Sequence, residues 1–169
     1  SSLICSHKGK IIHHLEIFRS EKDEWIIICD PGEGQAVGKI LDKFHIREDL
    51  ELRLLNSEEM LRIDLSGPDV EKIAEKQGYF KDNIKWRFEG APILTAKFDF
   101  GNLPRLINIV HGSILQKFIG QILQNEKANL IGLEAFDEIR CLEGIPRSGA
   151  DYGTDNFPQE AGLSDHISF

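Results

Sequence analysis

The sequence predicts an α+β fold made of two successive strand-and-helix units, and three observations predict it. Short segments such as 50–54 and 61–65 alternate apolar and polar residues, the period of a strand with one buried face. Between such segments, apolar residues recur every three or four positions, as at Val37, Ile40, Leu41 and Phe44 and again at Ile114, Leu115, Phe118, Ile119, Ile122 and Leu123. That spacing lays one stripe of a helix on a sheet. Turns rich in glycine, proline and charge separate the two kinds of segment, so strands and helices alternate along the chain, as they do in layered mixed folds.

The first unit covers residues 1–55. Ser1-Ser2-Leu3-Ile4 reads as the margin of a strand. From 10 to 18, Ile11, Leu15 and Ile17 alternate with His14, Glu16 and Phe18, which predicts a partly buried strand. Ser20-Glu21-Lys22-Asp23-Glu24 is a charged turn, and Trp25-Ile26-Ile27-Ile28-Cys29 reads as a strand covered on both faces, completing a hairpin. Asp30-Pro31-Gly32-Glu33 predicts a helix start, with an acceptor at the N-cap, proline at the first helical position and a carboxylate at the third. Gly32, Gly34, Gly38 and Lys39 make no phosphate loop, because their spacing is wrong and Ile40 stands where a magnesium-binding hydroxyl is required. Residues 50–54 close the unit as a strand.

The second unit covers residues 56–169. Leu61, Ile63 and Leu65 predict a strand, and Ser66-Gly67-Pro68-Asp69 turns it into a helix through Val70, Ile73 and Ala74 that Gly78 ends. Trp86 and Phe88, then residues 92–100 and 106–110, predict three strands, the last two joined at Gly101-Asn102. His111-Gly112-Ser113 leads into the clearest helix, whose apolar stripe at 114–123 is a packing surface. A shorter helix over 133–142 carries Leu133, Phe136, Ile139 and Leu142 toward a core and is stopped by Gly144 and Pro146. It delivers a charged, glycine-punctuated loop to one place. Asp165-His166-Ile167-Ser168-Phe169 opens another alternating pattern, and both chain ends read as cut from a larger protein.

A chain of 169 residues can bury one substantial core or two small ones. Its net charge of −8 argues against general nucleic-acid binding, which needs a basic surface to neutralise phosphates. Uninterrupted apolar runs reach only about five residues, far short of the roughly 20 that span a bilayer, so no membrane is expected. The three cysteines are far apart and form no Cys-x-x-Cys pair, the usage of a reducing, cytoplasmic compartment. His7, His13 and His14 lie near Cys5, but adjacent strand residues face opposite ways, so no metal site is assigned. The sequence holds no nucleophile elbow and no His-Glu-x-x-His helix, and no catalytic residue is assigned.

The block Arg140-Cys141-Leu142-Glu143-Gly144-Ile145-Pro146-Arg147, then Gly149-Ala150-Asp151, then Phe157-Pro158-Gln159-Glu160-Ala161-Gly162-Leu163, resembles the aminomethyltransferase-like folate-binding superfamily of the glycine cleavage T-protein. The likeness is greatest to its YgfZ-like branch. Lys8-Gly9-Lys10-Ile11-Ile12-His13-His14-Leu15 adds to it, and nearly the whole chain is covered. The resemblance implies a folate-binding region that lacks the opening segment and the C-terminal barrel domain. It implies tetrahydrofolate as cofactor, held by Asp99, Arg140, Glu143 and Arg147, and a role in assembly or repair of iron–sulfur proteins, which would be its partners.

Two departures shape that expectation. The catalytic branch carries an Asp-Asp pair where this chain has His13-His14, and a neutral imidazole cannot replace a carboxylate that stays negative and accepts hydrogen bonds. The family's pterin-binding glutamate falls at Leu142, with Glu143 one position later, about 100° further around a helix. The expectation is therefore a non-catalytic folate-binding-like protein. The alternatives are a tetrahydrofolate-dependent aminomethyl transferase and an interaction module that has lost folate. Apolar surface left open by a shortened domain ring would also favour a homo-oligomer.

Overall fold

The structure, a computed structural model, describes residues 1–55, 59–76, 85–125 and 128–167. The fold is α+β, with two antiparallel sheets and four α-helices among the described residues. The chain divides into two compact units.

The first unit comprises Ser1–Arg19, Asp23–Leu54 and Pro146–Phe169, so the loop that follows the 133–142 helix belongs with the N-terminal strands, whereas the sequence reading groups it with residues 56–169. Its sheet has the order β1 (Ser2–Cys5), β2 (Ile11–Glu21), β3 (Glu24–Ile28). The β1–β2 pair is antiparallel and matches Leu3 with His14 and Ile4 with His13, then slips by one residue at Cys5. Along β2 the buried residues are Ile11, His13 and Leu15, then Phe18 and Ser20, so burial changes phase near Ile17. Phe18, rather than Ile17, is the buried side chain there. Strand β2 also runs on to Glu21, through Ser20 and Glu21 of the expected charged turn.

Strand β3 is not covered on both faces: it is an edge strand and Trp25 is 61% exposed. An apolar run reports β propensity and not cover by a second layer, and β3 is exposed at Glu24 and Trp25 and half-buried beyond them. Helix α1 spans Gly34–Phe44, with Glu33 rather than Asp30 at its N-cap and no side-chain cap bond. The Asp30 carbonyl accepts from the Glu33 amide in a turn that precedes the helix, which puts Pro31 outside it. Residues 50–54, expected as a strand, lie in no strand of either sheet. Alternation supplies faces but not a pairing partner, and a lone segment makes no ladder.

The second unit comprises Ser20–Lys22 and Leu55–Ile145. Its sheet has the order β4 (Met60–Ser66), β7 (Leu103–His111), β6 (Ala91–Phe100), β5 (Lys85–Phe88), antiparallel throughout. The helix α2 spans Val70–Lys76, and its expected stop at Gly78 lies outside the described residues. A 3-10 turn at Gly112–Ile114 leads into α3 (Leu115–Asn125), and α4 spans Leu133–Leu142. Ile114, Phe118 and Ile122 of the predicted stripe pack with Ile93, Leu106, Val110 and Val70 in one buried cluster. Every residue from Arg105 to Val110 is buried, because β7 is a central strand.

Candidate functional site

The end of α4 collects two of the sequence-predicted residues. Arg140 is only 6% exposed. Its Nε donates to Asp137 Oδ1 at 2.7 Å, one turn earlier, and its Nη1 donates to the Ile145 carbonyl at 3.2 Å. The Ile145 amide returns a 2.8 Å bond to the Arg140 carbonyl. Arg140 thus clamps the chain as it leaves the helix, where a cation also meets the negative end of the helix dipole. Gly144, at φ +70, makes that exit possible.

Glu143 lies beside the β6–β7 turn. Its Oε2 accepts from the Asn102 amide at 2.7 Å. A Cβ on Gly101, whose φ is +59, would meet that same Oε2 at 2.5 Å and the Glu143 Cβ at 2.7 Å, so the carboxylate sits directly over the glycine. Asp99 belongs to the same hairpin, opposite Pro104 in the β6–β7 register. The structure therefore brings Glu143 to the turn that follows Asp99. Leu142, where the resemblance places a pterin carboxylate, is 87% exposed. The helix as a whole is not the apolar core element expected, since Leu133 and Leu142 are both exposed and Arg140 is its buried residue.

Arg147 lies in the first unit, in a loop that closes on itself. Its amide donates to Asp151 Oδ2 at 2.8 Å, and its carbonyl accepts from the Asp151 amide at 2.9 Å. Gly149 follows at φ +76 and donates to the Tyr152 carbonyl at 2.8 Å. The next motif block is folded by Glu160, whose Oε2 accepts from the Phe157 amide at 2.8 Å and from Asn156 Nδ2 at 3.3 Å. Pro158 and Leu163 are buried, and the Leu163 amide bonds the Pro158 carbonyl at 2.8 Å.

The same unit holds a polar cluster that the sequence reading did not assemble. His13 Nδ1 lies 2.6 Å from Glu33 Oε2. His14 Nδ1 lies 3.0 Å from the Tyr152 hydroxyl, and the His14 ring meets the edge of the His166 ring at 5.6 Å between centroids. His14 Nε2 is buried without a hydrogen-bond partner among the described residues. Burial holds the His14 pKa below its ordinary value, with the nearby His166 adding to the effect and Glu16 and Asp30 opposing it. Burial, then the charges of Asp30, Glu33 and Asp151, push the Tyr152 hydroxyl up to about 12. Tyr152 is therefore a neutral phenol at physiological pH.

Tyr152 and His166 lie far from His14 in the chain, and no spacing rule connects them. A local clue existed for Glu33, as the carboxylate of the expected helix start, but its partner across the sheet had none. Among the described residues no group of three or more His, Cys, Asp or Glu side chains is placed to hold a metal ion. No described helix is long and apolar enough to cross a membrane. No protein-family model, curated protein or solved structure matches the chain.

Position 142 lacks the carboxylate with which the resembled family holds a pterin. A pterin ring needs a polar side chain matched to its donors, and position 142 offers an exposed leucine. Glu143, the nearest carboxylate, is already accepting from Asn102.

Proposed function

We propose that this chain is a folate-binding-like protein that works without turnover in iron–sulfur protein assembly or repair. The observation that carries the non-catalytic part of this reading is the α4 end. Arg140 is committed to Asp137 and the Ile145 carbonyl, Glu143 to the β6–β7 turn, and Leu142 faces outward between them. His13 and His14, at the Asp-Asp position of the resembled catalytic branch, are engaged with Glu33 and Tyr152. These are contacts that stabilise a scaffold. The iron–sulfur role and tetrahydrofolate as ligand, with Asp99 and Arg147 as further contacts, rest on the motif resemblance.

Calorimetric titration of tetrahydrofolate and folinic acid, with Leu142→Glu alongside the wild type, tests the reading. Saturable binding near one ligand per chain, without one-carbon transfer, is the expected result. Turnover with tetrahydrofolate would replace it by the aminomethyl transferase reading.

A second reading is favoured by a specific observation. Leu130, Ile131, Leu133 and Leu142 are all exposed large apolar side chains of the second unit, and such surfaces mark interaction sites when they are contiguous. Absence of folate binding by a folded wild type, with binding gained in Leu142→Glu, would favour an interaction module on an inherited scaffold.

A further inference from the structure

Residues 50–54, Leu-Glu-Leu-Arg-Leu, alternate as a strand does yet belong to neither sheet. Leu50, Leu52 and Leu54 are 45%, 42% and 60% exposed, and Glu51 and Arg53 are exposed between them. Among the described residues, no ion pair engages Glu51 or Arg53. Leu54 lies over Gly34, where an added Cβ would come within 2.9 Å of Leu54 Cδ1, so the segment is held to its own unit at one end.

We propose that two copies of this chain join through residues 50–54, pairing as a two-fold antiparallel ribbon centred on Leu52. The sequence is complementary to itself in that register. Leu50 falls opposite Leu54, Leu52 opposite Leu52, and Glu51 opposite Arg53, each pair on one face because directly opposed residues of an antiparallel pair share a face. A slip of one residue sets leucines against charges. A slip of two sets Glu51 against Glu51 or Arg53 against Arg53, which like-charge repulsion disfavours. One register thus satisfies both faces, and an isologous interface of this kind closes at two copies. The ribbon also gives hydrogen-bond partners to backbone groups that form no ladder among the described residues.

A two-stranded ribbon alone is marginal in water, so the dimer is weak and reversible, with a Kd on the order of 10–100 µM. This inference does not rest on the folate reading. Sedimentation equilibrium of the 169-residue chain tests it, comparing wild type with Glu51→Arg, Arg53→Glu, the double variant and an equimolar mixture of the two single variants. Each single variant faces its own charge across the axis and should dimerise about tenfold more weakly or worse. The double variant and the mixture restore opposite charges and should return to within about threefold of wild type. Raising the salt concentration should weaken the wild-type dimer, a readout that needs no variant. A wild type that stays monomeric overturns the proposal, as does a dimer indifferent to either reversal, or single-variant losses that neither the double variant nor the mixture recovers.

Discussion

The two units of this molecule are built on opposite principles. The second buries an apolar cluster around Phe118, Leu106, Val110 and Ile93, with Thr95 bonded to Asn108 inside its sheet and Arg105 and Arg140 buried against carboxylates. The first has a much smaller cluster of Ile11, Tyr152 and Leu163. Beside Leu15, Phe18 and Val37, which are also buried, it holds two part-buried polar pairs, His13 against Glu33 and His14 against Tyr152. Apolar burial is non-directional and insensitive to pH, whereas a set of imidazoles responds to both geometry and protonation. The difference teaches where to look for each kind of failure: cavities should damage the second unit, and protons the first.

The largest effect expected is at Phe118, fully buried and packed edge-on against Phe88 at 5.7 Å between ring centroids. Phe118→Ala should destabilise the protein by about 3–5 kcal/mol, since the lost transfer energy is joined by a cavity that the sheet cannot close. Urea denaturation followed by circular dichroism would read this. A loss under about 1 kcal/mol would mean that the apolar cluster is not what holds the second unit.

Asn108 sharpens the contrast, because it is a polar residue placed like a core one. It is fully buried, with Oδ1 accepting from Thr95 Oγ1 at 2.8 Å and Nδ2 donating to the Ile63 carbonyl at 3.3 Å. Asn108→Ala removes both bonds from a fully buried position, and should cost about 1–3 kcal/mol. In a double-mutant cycle with Thr95→Val, the two changes should be less than additive.

Sequence pattern reached much of the second unit and less of the first, for a physical reason. The stripe at Ile114, Phe118 and Ile122 and the alternation at 61–65 are local, and local period decides which face is buried. What could not be read was pairing. The strand expected at 50–54 has the right alternation and no strand partner among the described residues, while Glu33, Tyr152 and His166 reach the histidine pair from distant positions. At the candidate site, the stop of α4 at Gly144 was legible from the glycine and proline beyond it. The contact of Glu143 with the Gly101-Asn102 turn was not, because it joins residues 41 positions apart.

That contact gives a smaller prediction. Gly101→Ala must hold an alanine at φ +59 and place its Cβ against the Glu143 carboxylate. The backbone strain alone is on the order of 1 kcal/mol, and the clash adds to it unless Glu143 swings away. Glu143→Ala removes the Oε2 part of the clash, though not the Cβ at 2.7 Å, and forfeits the bond to the Asn102 amide, at about 0.5–1.5 kcal/mol. Placing both changes together should therefore cost less than their sum, by chemical denaturation. Strict additivity would show that Glu143 does not rest on the turn.

The smallest effect expected belongs to the first unit and has a sign that the second unit cannot mimic. Burial, aided by His166, holds the folded-state pKa of His14 below the ordinary 6.5, and burial lowers that of His166 as well. As pH falls through 6.5 the unfolded chain takes up these protons first, so stability present above that pH declines toward the lowered folded values. Glu16 and Asp30 face His14 and soften this loss by favouring its charged form, and Asp165 does the same for His166. Thermal midpoints should consequently fall between pH 7 and pH 5. His14→Gln keeps a group able to bond the Tyr152 hydroxyl but carries no titration, and should flatten part of that slope. If wild type and His14→Gln lose stability in parallel over this range, the polar interior of the first unit does not sense protons through His14, and the contrast between the two units narrows to one of cavity cost alone.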